Sequence, residues 1–349
     1  MSLDKYGYFL PEKNLALTPA DPRDSSRLFV YDTKKDLTIF DHFYNLDKYL
    51  SKNSFMVLNN TKVLPARVTM KKSTGGKVIM LFLVNELTDS RVTKAMADRK
   101  INVGEKLYFD DNNFVEIINQ KEHIFDLKLD FSREKLFNLL KKYGTMPIPL
   151  YLKKSPLKRN ELLKKYQTIF AKKQGSSAAP TASLHFTDRV FDRLDKKGIE
   201  KYFITLHVGL GTFAPITKEN IKEKKLHEEY FEVDSNILQS INRLKQQGKK
   251  LVAAGTTTVR TLESISRSKI YNPKSNIYNK TDLFIFPPYN FKTVDVLITN
   301  FHLPKSSLMM LVEAFLQFKN SKRNLVELYQ IAIKNKFRFY SFGDAMVIL

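Results

Sequence analysis

The stretch KLVAAGTTTVR at residues 250–260 decides the fold class of this chain. An apolar run over 250–254 has strand character, and the helical pattern that follows is predicted to begin near Val259. Gly255 stands between the two, where a glycine supports a tight turn. The stretch therefore predicts a strand, a turn and a helix in immediate succession, which is the repeating unit of α/β proteins.

The same order recurs on both sides of this stretch. A strand predicted at 294–299 precedes a helix that starts after Ser306, and a last helix covers about 324–335. Upstream, a helix predicted at 188–197 leads into a strand at 202–208. Alternation of this kind indicates a sheet with helices packed against it.

The N-terminal part of the chain has two regions with different sequence patterns. Residues 1–60 form a polar arm punctuated by prolines and then two strand-like runs, at 28–31 and 55–58. Residues 61–151 consist of short apolar runs separated by turn signals such as TGGK, NVGE and DDNN, which favours a small antiparallel barrel. We therefore predict an α/β fold: a mixed α/β main domain, formed by 1–60 and 152–349, with an inserted small antiparallel β-barrel domain at 61–151. The second part of the main domain is predicted to carry most of the active site.

Composition excludes several classes of protein. The chain has 349 residues and no cysteine, which removes disulfide frameworks, thiolate metal sites, iron–sulfur clusters and cysteine nucleophiles. No run of about 18 apolar residues occurs and the start lacks the apolar core of a signal peptide, so we expect a cytoplasmic protein without membrane contact. The formal net charge of +22 suits a polyanion such as RNA. A general bias toward lysine, which supplies 44 of the 58 cations, explains this charge equally well.

Four of the six histidines fall at the ends of predicted strands or beside predicted helix starts: His185, His207, His227 and His302. Ligands of open α/β sheets bind at the carboxyl ends of strands, and imidazole transfers protons near neutral pH. The alternative is that each ring is hydrogen-bonded in a loop and has a structural role. Their spacing gives no zinc motif, because His227 has no second histidine four residues on, and we expect no metal site.

Three polar turns follow predicted strands. The first, GLGTFA at 209–214, matches a dinucleotide fingerprint, but Pro215 directly behind it would interrupt the required helix, so we reject a nicotinamide or flavin site. Its two glycines still allow a ligand to approach the backbone closely. The second turn, at 254–258, offers N–H groups and hydroxyls that could hold a substrate carboxylate beside Arg260, although a plain helix cap explains its threonines equally well. The third turn, at 299–304, again presents a polar pair.

Six segments, in order along essentially the whole chain, resemble those of one family, the S-adenosylmethionine:tRNA ribosyltransferase-isomerases of queuosine biosynthesis. The segments are PRDSSRL (22–28), AAPTASLHFT (178–187), LHVGLGTF (206–213), GTTTVRTLES (255–264), LITNFHLP (297–304) and FGDAM (342–346). Because the resemblance is spread over six motifs, chance is an implausible explanation.

The resemblance implies a reaction and its partners. S-adenosylmethionine, as co-substrate, gives up its ribosyl group to 7-aminomethyl-7-deazaguanine at the wobble position of a tRNA with a GUN anticodon. The products are epoxyqueuosine in tRNA, adenine and methionine. Such chemistry needs a base at the acidic C5′ protons beside the sulfonium, a proton donor for the departing adenine, and loss of a proton from the attacking amine. We expect no cofactor, because the sulfonium supplies the leaving-group energy, and we expect a monomer.

The resemblance also implies roles for individual residues. The candidates for proton transfer are His185, His207 and His302, with His227 less favoured. The candidates for binding the nucleoside and methionine portions of the donor are Gly209, Gly211, Thr212, Thr256, Thr257, Arg260 and Asn300. Three further polar residues, Asp24, Arg27 and Arg67, are candidates for substrate binding without an assigned task, and Arg67 is a candidate for contact with tRNA phosphate. The rings of Phe186 and Phe213 could stack on a base, although a core position is the commoner role of such residues.

Some positions depart from the family's pattern. At two positions where the family usually has an acid and an arginine, this chain has Asn60 and Lys62. A catalytic task for that acid is therefore in doubt. One histidine of a His-x-Met-His motif is Lys224, and a glycine before a tyrosine is Pro288. Two rival functions stay open: an S-adenosylmethionine-dependent RNA methyltransferase, which would produce S-adenosylhomocysteine, and a non-catalytic RNA-binding protein, which would leave the donor intact.

Overall fold

The structure, a computed structural model, describes residues 3–84, 91–121, 123–209, 216–268 and 275–349. Within these residues the chain forms a nine-stranded mixed sheet, a closed six-stranded barrel and a separate two-stranded pair. The strands are β1 (Arg27–Asp32), β2 (Leu37–His42), β3 (Ser54–Asn59), β4 (Thr61–Val63), β5 (Arg67–Lys72), β6 (Lys77–Leu83), β7 (Val92–Ala97), β8 (Lys106–Asp110), β9 (Asn113–Lys121), β10 (Ile124–Leu129), β11 (Lys173–Ser176), β12 (Glu200–Leu206), β13 (Lys225–Val233), β14 (Lys250–Ala254), β15 (Ile277–Leu283), β16 (Val296–Asn300) and β17 (Ala345–Ile348). The α-helices are α1 (Leu46–Tyr49), α2 (Arg133–Tyr143), α3 (Arg159–Lys165), α4 (Asp188–Lys196), α5 (Lys218–Glu223), α6 (Ser235–Gln246), α7 (Thr256–Ser268), α8 (Ser307–Phe318) and α9 (Leu325–Lys334).

The main sheet has the strand order β15-β13-β12-β3-β14-β16-β17-β1-β2. Its centre is parallel, because β12 and β14 both pair in parallel with β3, and β16 pairs in parallel with β14. Alternate residues of β3 point to opposite faces: Phe55 and Val57 belong to the apolar cluster under α6–α9, whereas Met56 and Leu58 belong to the cluster under α1 and α4. Burial on both faces explains why the central strands are continuous apolar runs.

The predicted starts of α4, α8 and α9 are confirmed. The hydroxyl of Thr187 accepts the N–H of Val190 at the start of α4, and Asn324 caps α9 in the same way. Helix α4 is followed by Gly198 at φ 76°, a conformation that favours glycine. One prediction was slightly wrong: α7 begins at Thr256 and not near Val259, because Gly255 at φ 94° completes the turn by itself.

The six-stranded barrel is antiparallel throughout, with the order β10-β7-β6-β5-β8-β9 and closure between β9 and β10. Helix α2, which the sequence did not predict, covers this barrel with Leu136 and Leu140 in the same apolar cluster as the barrel strands. The mixed main sheet and the antiparallel barrel confirm the predicted fold class.

The barrel strands and α2 run from Arg67 to Tyr143, inside the segment 61–151 that was predicted as an insertion. Strand β4 lies in that segment too, but it pairs with β11 outside the barrel. The exact domain boundaries therefore stay a prediction. In the described ranges, every helix is too short or too polar to cross a lipid bilayer.

Candidate active site

A cavity of about 510 Å³ lies where β14 and β16 end. Parallel strands bring their carboxyl ends to one edge of a sheet, so the turns after them converge on one site. Tyr151, His227, Glu229, Thr256, Thr257, Arg260, Thr299, Asn300, His302, Tyr340 and Ser341 are among the residues that line the cavity. A volume of this size is typical of sites for small molecules.

The start of α7 contributes one wall. Thr256 and Thr257 line the cavity at the first turn of the helix, where the backbone N–H groups have no partner within the helix. The Thr257 hydroxyl accepts a hydrogen bond from Asn59 Nδ2 at 3.1 Å, which ties the turn to the end of β3. A helix N-terminus of this kind favours an anionic group.

A buried ion pair forms the adjoining wall. Arg260 Nη1 donates to Glu229 Oε2, and Arg260 Nε donates to the carbonyl of Leu283 at 3.1 Å. The second carboxylate oxygen of Glu229 accepts the N–H of Gly209 at 2.9 Å. Both side chains are less than a tenth exposed, so these hydrogen bonds are needed to offset the cost of removing two charges from water. Arg260 Nη2 has no hydrogen-bond partner among the residues that the structure describes.

His302 is the buried histidine of the cavity. Its Nε2 is 2.7 Å from the hydroxyl of Thr299, its N–H donates to Tyr329 Oη at 2.9 Å, and its carbonyl accepts from Tyr8 Oη. Burial lowers the pKa of His302 to about 3, so the ring is neutral at neutral pH and its protonated form is disfavoured in the unliganded cavity. His227 also lines the cavity, but its side chain is exposed at the start of β13.

His185 lies behind the cavity wall. Its Nδ1 is 2.8 Å from the hydroxyl of Ser26, and its Nε2 is 3.3 Å from Nδ2 of Asn300, which does line the cavity. Burial, followed by the positive charges of Arg338 and Arg23, lowers the pKa of His185 to about 3. The ring is therefore a neutral member of a hydrogen-bonded chain that ends at Asn300.

His207 is also buried away from the cavity lining. Its Nδ1 is 2.8 Å from the hydroxyl of Thr61 on β4. A Cβ at Gly175 would stand 2.9 Å from the ring, so glycine is required for this histidine to pack against β11. Burial, followed by the charges of Arg133 and Lys173, lowers the pKa of His207 to about 4.

The remaining sequence-predicted residues are spread over the fold. Asp24 is buried and accepts two hydrogen bonds from Arg189, at 2.7 and 2.8 Å. Arg27 stacks on Phe337 at 4.0 Å, and Phe186 is fully buried in the core under α4. The segment 210–215 is outside the described residues, and it contains three of the predicted binding residues, which are Gly211, Thr212 and Phe213.

Arg67 and the family departures have structural contacts of their own. The backbone of Arg67 pairs with Thr145 where the barrel joins the segment after α2, and burial lowers the pKa of its guanidinium. Asn60 accepts a hydrogen bond from the hydroxyl of Thr205 at 2.7 Å, so an amide serves there as an acceptor. Lys224 ends α5 in the left-handed conformation, and Pro288 follows a cis peptide bond. Among the described residues, no group of three or more histidines and acids could hold a metal ion.

The sequence did not point to several residues that form the cavity. Tyr151 and Tyr340 pack with ring centroids 4.8 Å apart and their planes tilted by 53°. Burial raises the pKa of Tyr151 to about 12, which keeps its hydroxyl protonated. Glu229 was not among the predicted site residues, because no metal motif surrounds it. A usable signal was present: Glu229 shares one face of β13 with Phe231 and Val233, and an acid among apolar residues of one strand face needs a partner.

Comparisons with known proteins agree with these motifs. The sequence pattern of a family described as queuosine biosynthesis protein matches residues 3–348. Two proteins named S-adenosylmethionine:tRNA ribosyltransferase-isomerase, from Thermosipho melanesiensis and Staphylococcus haemolyticus, are each 42% identical to this chain over the full length of both partners. A crystal structure of S-adenosylmethionine tRNA ribosyltransferase from Thermotoga maritima is 31% identical, covers 99% of this chain and 100% of its own, and has a TM-score of 0.54.

Proposed function

The chain belongs to the queuosine biosynthesis protein family, and we propose that it is an S-adenosylmethionine:tRNA ribosyltransferase-isomerase. It transfers the ribosyl group of S-adenosylmethionine to 7-aminomethyl-7-deazaguanine in tRNA and isomerises it, with adenine and methionine as the other products. One observation carries the proposal: His227, Thr256, Thr257, Arg260, Asn300 and His302, all chosen from the sequence, line a single cavity.

The chemistry makes three demands on this cavity. The sulfonium acidifies the C5′ protons, so a base must stand beside them, the departing adenine needs a proton, and the attacking amine must lose one. His302 is the candidate for the first task because it lines the cavity and, with Nε2 held by the hydroxyl of Thr299, its Nδ1 makes no hydrogen bond to any described residue. His227, on the exposed side of the cavity, is the candidate for proton exchange with the adenine or the amine.

The same cavity suits the donor's other groups. The N-terminus of α7 provides positive potential for the methionine carboxylate, and Arg260, whose charge is paired with Glu229, offers its Nη2 as a donor. No organic cofactor or metal is required for the reaction, because breaking the sulfonium bond supplies the driving force. We further propose that the tRNA partner carries a GUN anticodon, and that the enzyme acts as a cytoplasmic monomer.

Release of free adenine is the test of this function. Purified protein is incubated with tRNA that carries 7-aminomethyl-7-deazaguanine and with donor labelled in the adenine ring, and the spent donor is separated by chromatography. We expect adenine and methionine in equal amounts, only with the modified tRNA. S-adenosylhomocysteine would identify a methyltransferase, and an intact donor with salt-sensitive tRNA binding would identify a non-catalytic RNA-binding protein.

A further inference from the structure

Two buried polar atoms of residues that line the cavity have no hydrogen-bond partner among the described residues, one a donor and one an acceptor. The donor is Arg260 Nη2, and the acceptor is Asn300 Oδ1. Asn300 is 2% exposed and Arg260 7%, so water compensates little of either unmet bond. Buried polar groups in folded proteins are nearly always paired, and an orphaned pair on a cavity wall indicates a ligand with matching groups.

The orientation of the Asn300 amide follows from its neighbours. Nδ2 of Asn300 is 3.2 Å from the carbonyl of Tyr340, which can only accept, so the amide nitrogen must face that way. The same nitrogen is 3.3 Å from Nε2 of His185. With both directions of Nδ2 occupied, Oδ1 is the free acceptor of this side chain.

His185 has the tautomer that this orientation requires. If Nε2 accepts from Asn300, the single proton of the neutral ring is on Nδ1, which then donates to the hydroxyl of Ser26 at 2.8 Å. The lowered pKa of about 3 keeps the ring in this neutral form. Ser26 and His185 thus hold Asn300 by a chain of directed hydrogen bonds, and Phe43 packs against the imidazole with ring centroids 5.1 Å apart.

A cationic ligand group in this cavity cannot use a free carboxylate. Glu229 is the one acid among the described lining residues, and both of its oxygens are occupied, by Arg260 and by the N–H of Gly209. Because Arg260 already neutralises this acid, the acceptor left for an ammonium group is Asn300 Oδ1, which has no hydrogen-bond partner among the described residues.

We infer that Arg260 and Asn300 bind the α-amino acid end of the sulfonium donor as a zwitterion. Arg260 Nη2, with the N-terminus of α7, receives the carboxylate, and Asn300 Oδ1 accepts a hydrogen bond from the ammonium. Arg260 and Asn300 follow neighbouring strands. Ala254 of β14, two residues before the start of α7, pairs with Ile298 of β16, two residues before Asn300. His185 is a positioning residue that acts through Asn300. This inference rests on the proposed function for the identity of the donor.

A variant–donor cycle tests the contact with the ammonium group. The kcat/KM for adenine release is measured for the native protein and for Asn300→Ala, each with S-adenosylmethionine and with an analogue that carries hydrogen in place of the α-amino group. A hydrogen bond to a charged group is worth roughly ten- to hundredfold, so either change alone should cost that much. Both changes together should cost little more than one.

The controls make the cycle specific. Asn335→Ala, which removes an amide that bonds to Ile331 O at the end of α9, should respond to the two donors as the native protein does. Equal losses with both donors in Asn300→Ala would overturn the inference and would point instead to the amine of the tRNA base. Calorimetric titration of each donor into protein saturated with unmodified tRNA repeats the cycle without turnover. The titration therefore tests the inference even if no adenine is released. Absence of adenine release would refute the proposed function.

Two substitutions of His185 separate positioning from proton transfer. His185→Gln supplies an amide oxygen near the place of Nε2, able to accept from Asn300 but unable to exchange a proton at neutral pH. We expect His185→Gln to retain kcat/KM for S-adenosylmethionine within about threefold, and His185→Ala to match the loss of Asn300→Ala. A collapse of kcat in both variants, with native unfolding temperatures, would overturn the positioning role.

Discussion

Removal of the Glu229 carboxylate is expected to destabilise the protein strongly. The carboxylate neutralises Arg260 and accepts the N–H of Gly209 at 2.9 Å, and its side chain is only 3% exposed. Glu229→Ala leaves a guanidinium buried without a counter-charge and an amide without an acceptor. Both losses concern groups whose side chains are less than a tenth exposed, so solvent replaces the lost hydrogen bonds poorly.

The magnitude follows from the geometry of the pair. At an effective dielectric constant near 20, two unit charges about 4 Å apart attract by about 4 kcal/mol. Breaking buried pairs by removing one partner costs about 3–5 kcal/mol, and we expect Glu229→Ala to lower the free energy of unfolding by that amount. Glu229→Gln should cost less, because the amide oxygen can still accept the N–H of Gly209.

Urea unfolding followed by far-ultraviolet circular dichroism measures these changes. Glu228, the preceding residue, offers a matched control, because its pair with Lys280 at 3.1 Å has side chains 43% and 59% exposed. Glu228→Ala should cost less than about 1 kcal/mol. A double variant, Glu229→Ala with Arg260→Ala, should be destabilised by less than the sum of the single changes. A loss below 1 kcal/mol in Glu229→Ala, or full additivity in the double variant, would refute the role given to this ion pair.

Three further predictions concern protonation, turnover and tRNA binding. The pKa of His207 is about 4 in the folded protein against about 6.5 when exposed, so the unfolded state binds more protons between these values, and its contribution to stability is complete above pH 6.5 and falls toward pH 4. His207→Gln should flatten the dependence of unfolding free energy on pH in that window by up to about 1.4 kcal/mol per pH unit, and an unchanged slope would show that burial does not keep the ring neutral. His302→Ala should lower turnover by roughly 10²–10⁴-fold with little change in tRNA affinity, and unchanged turnover would remove this residue from the catalytic candidates. Alanine at the exposed Lys153, Lys154 and Lys158 should weaken tRNA binding and reduce its salt dependence, whereas equal affinity would mark these lysines as a solvated charge run.

The framework of the fold was readable from local patterns. Strand β14 has the predicted bounds, and α4, α8 and α9 begin within one residue of the predicted starts. Each of these signals depends on residues within a few positions of one another, as caps and apolar runs do. Helix α2 was not predicted, because its apolar stripe is short. The helix also lies between the barrel strands and a proline-rich segment, where turn signals dominate.

The candidate site was predictable in place but not in the role of each histidine. His185, His207 and His302 follow strands or precede helices and His227 lies at the start of β13, yet only His227 and His302 line the cavity. The rings of His185 and His207 turn instead to Ser26 and Thr61, residues 159 and 146 positions away in the chain. Hydrogen-bond partners so far away in the chain cannot be predicted from a local sequence pattern, and these partners determine the orientation of each ring.

A different pattern could have located the ion pair beside the histidines. Period-two alternation places Glu229 on the face of β13 that Phe231 and Val233 bury, and Arg260 sits in a helix segment whose neighbours Val259 and Leu262 belong to the core. A lone charge on an apolar face is costly unless an opposite charge meets it. Two such charges of opposite sign, on two elements that end at one sheet edge, therefore predict their own contact without any motif. Sequence reasoning that searched for mismatched charges, as well as for catalytic residue types, would have placed Glu229 in this site.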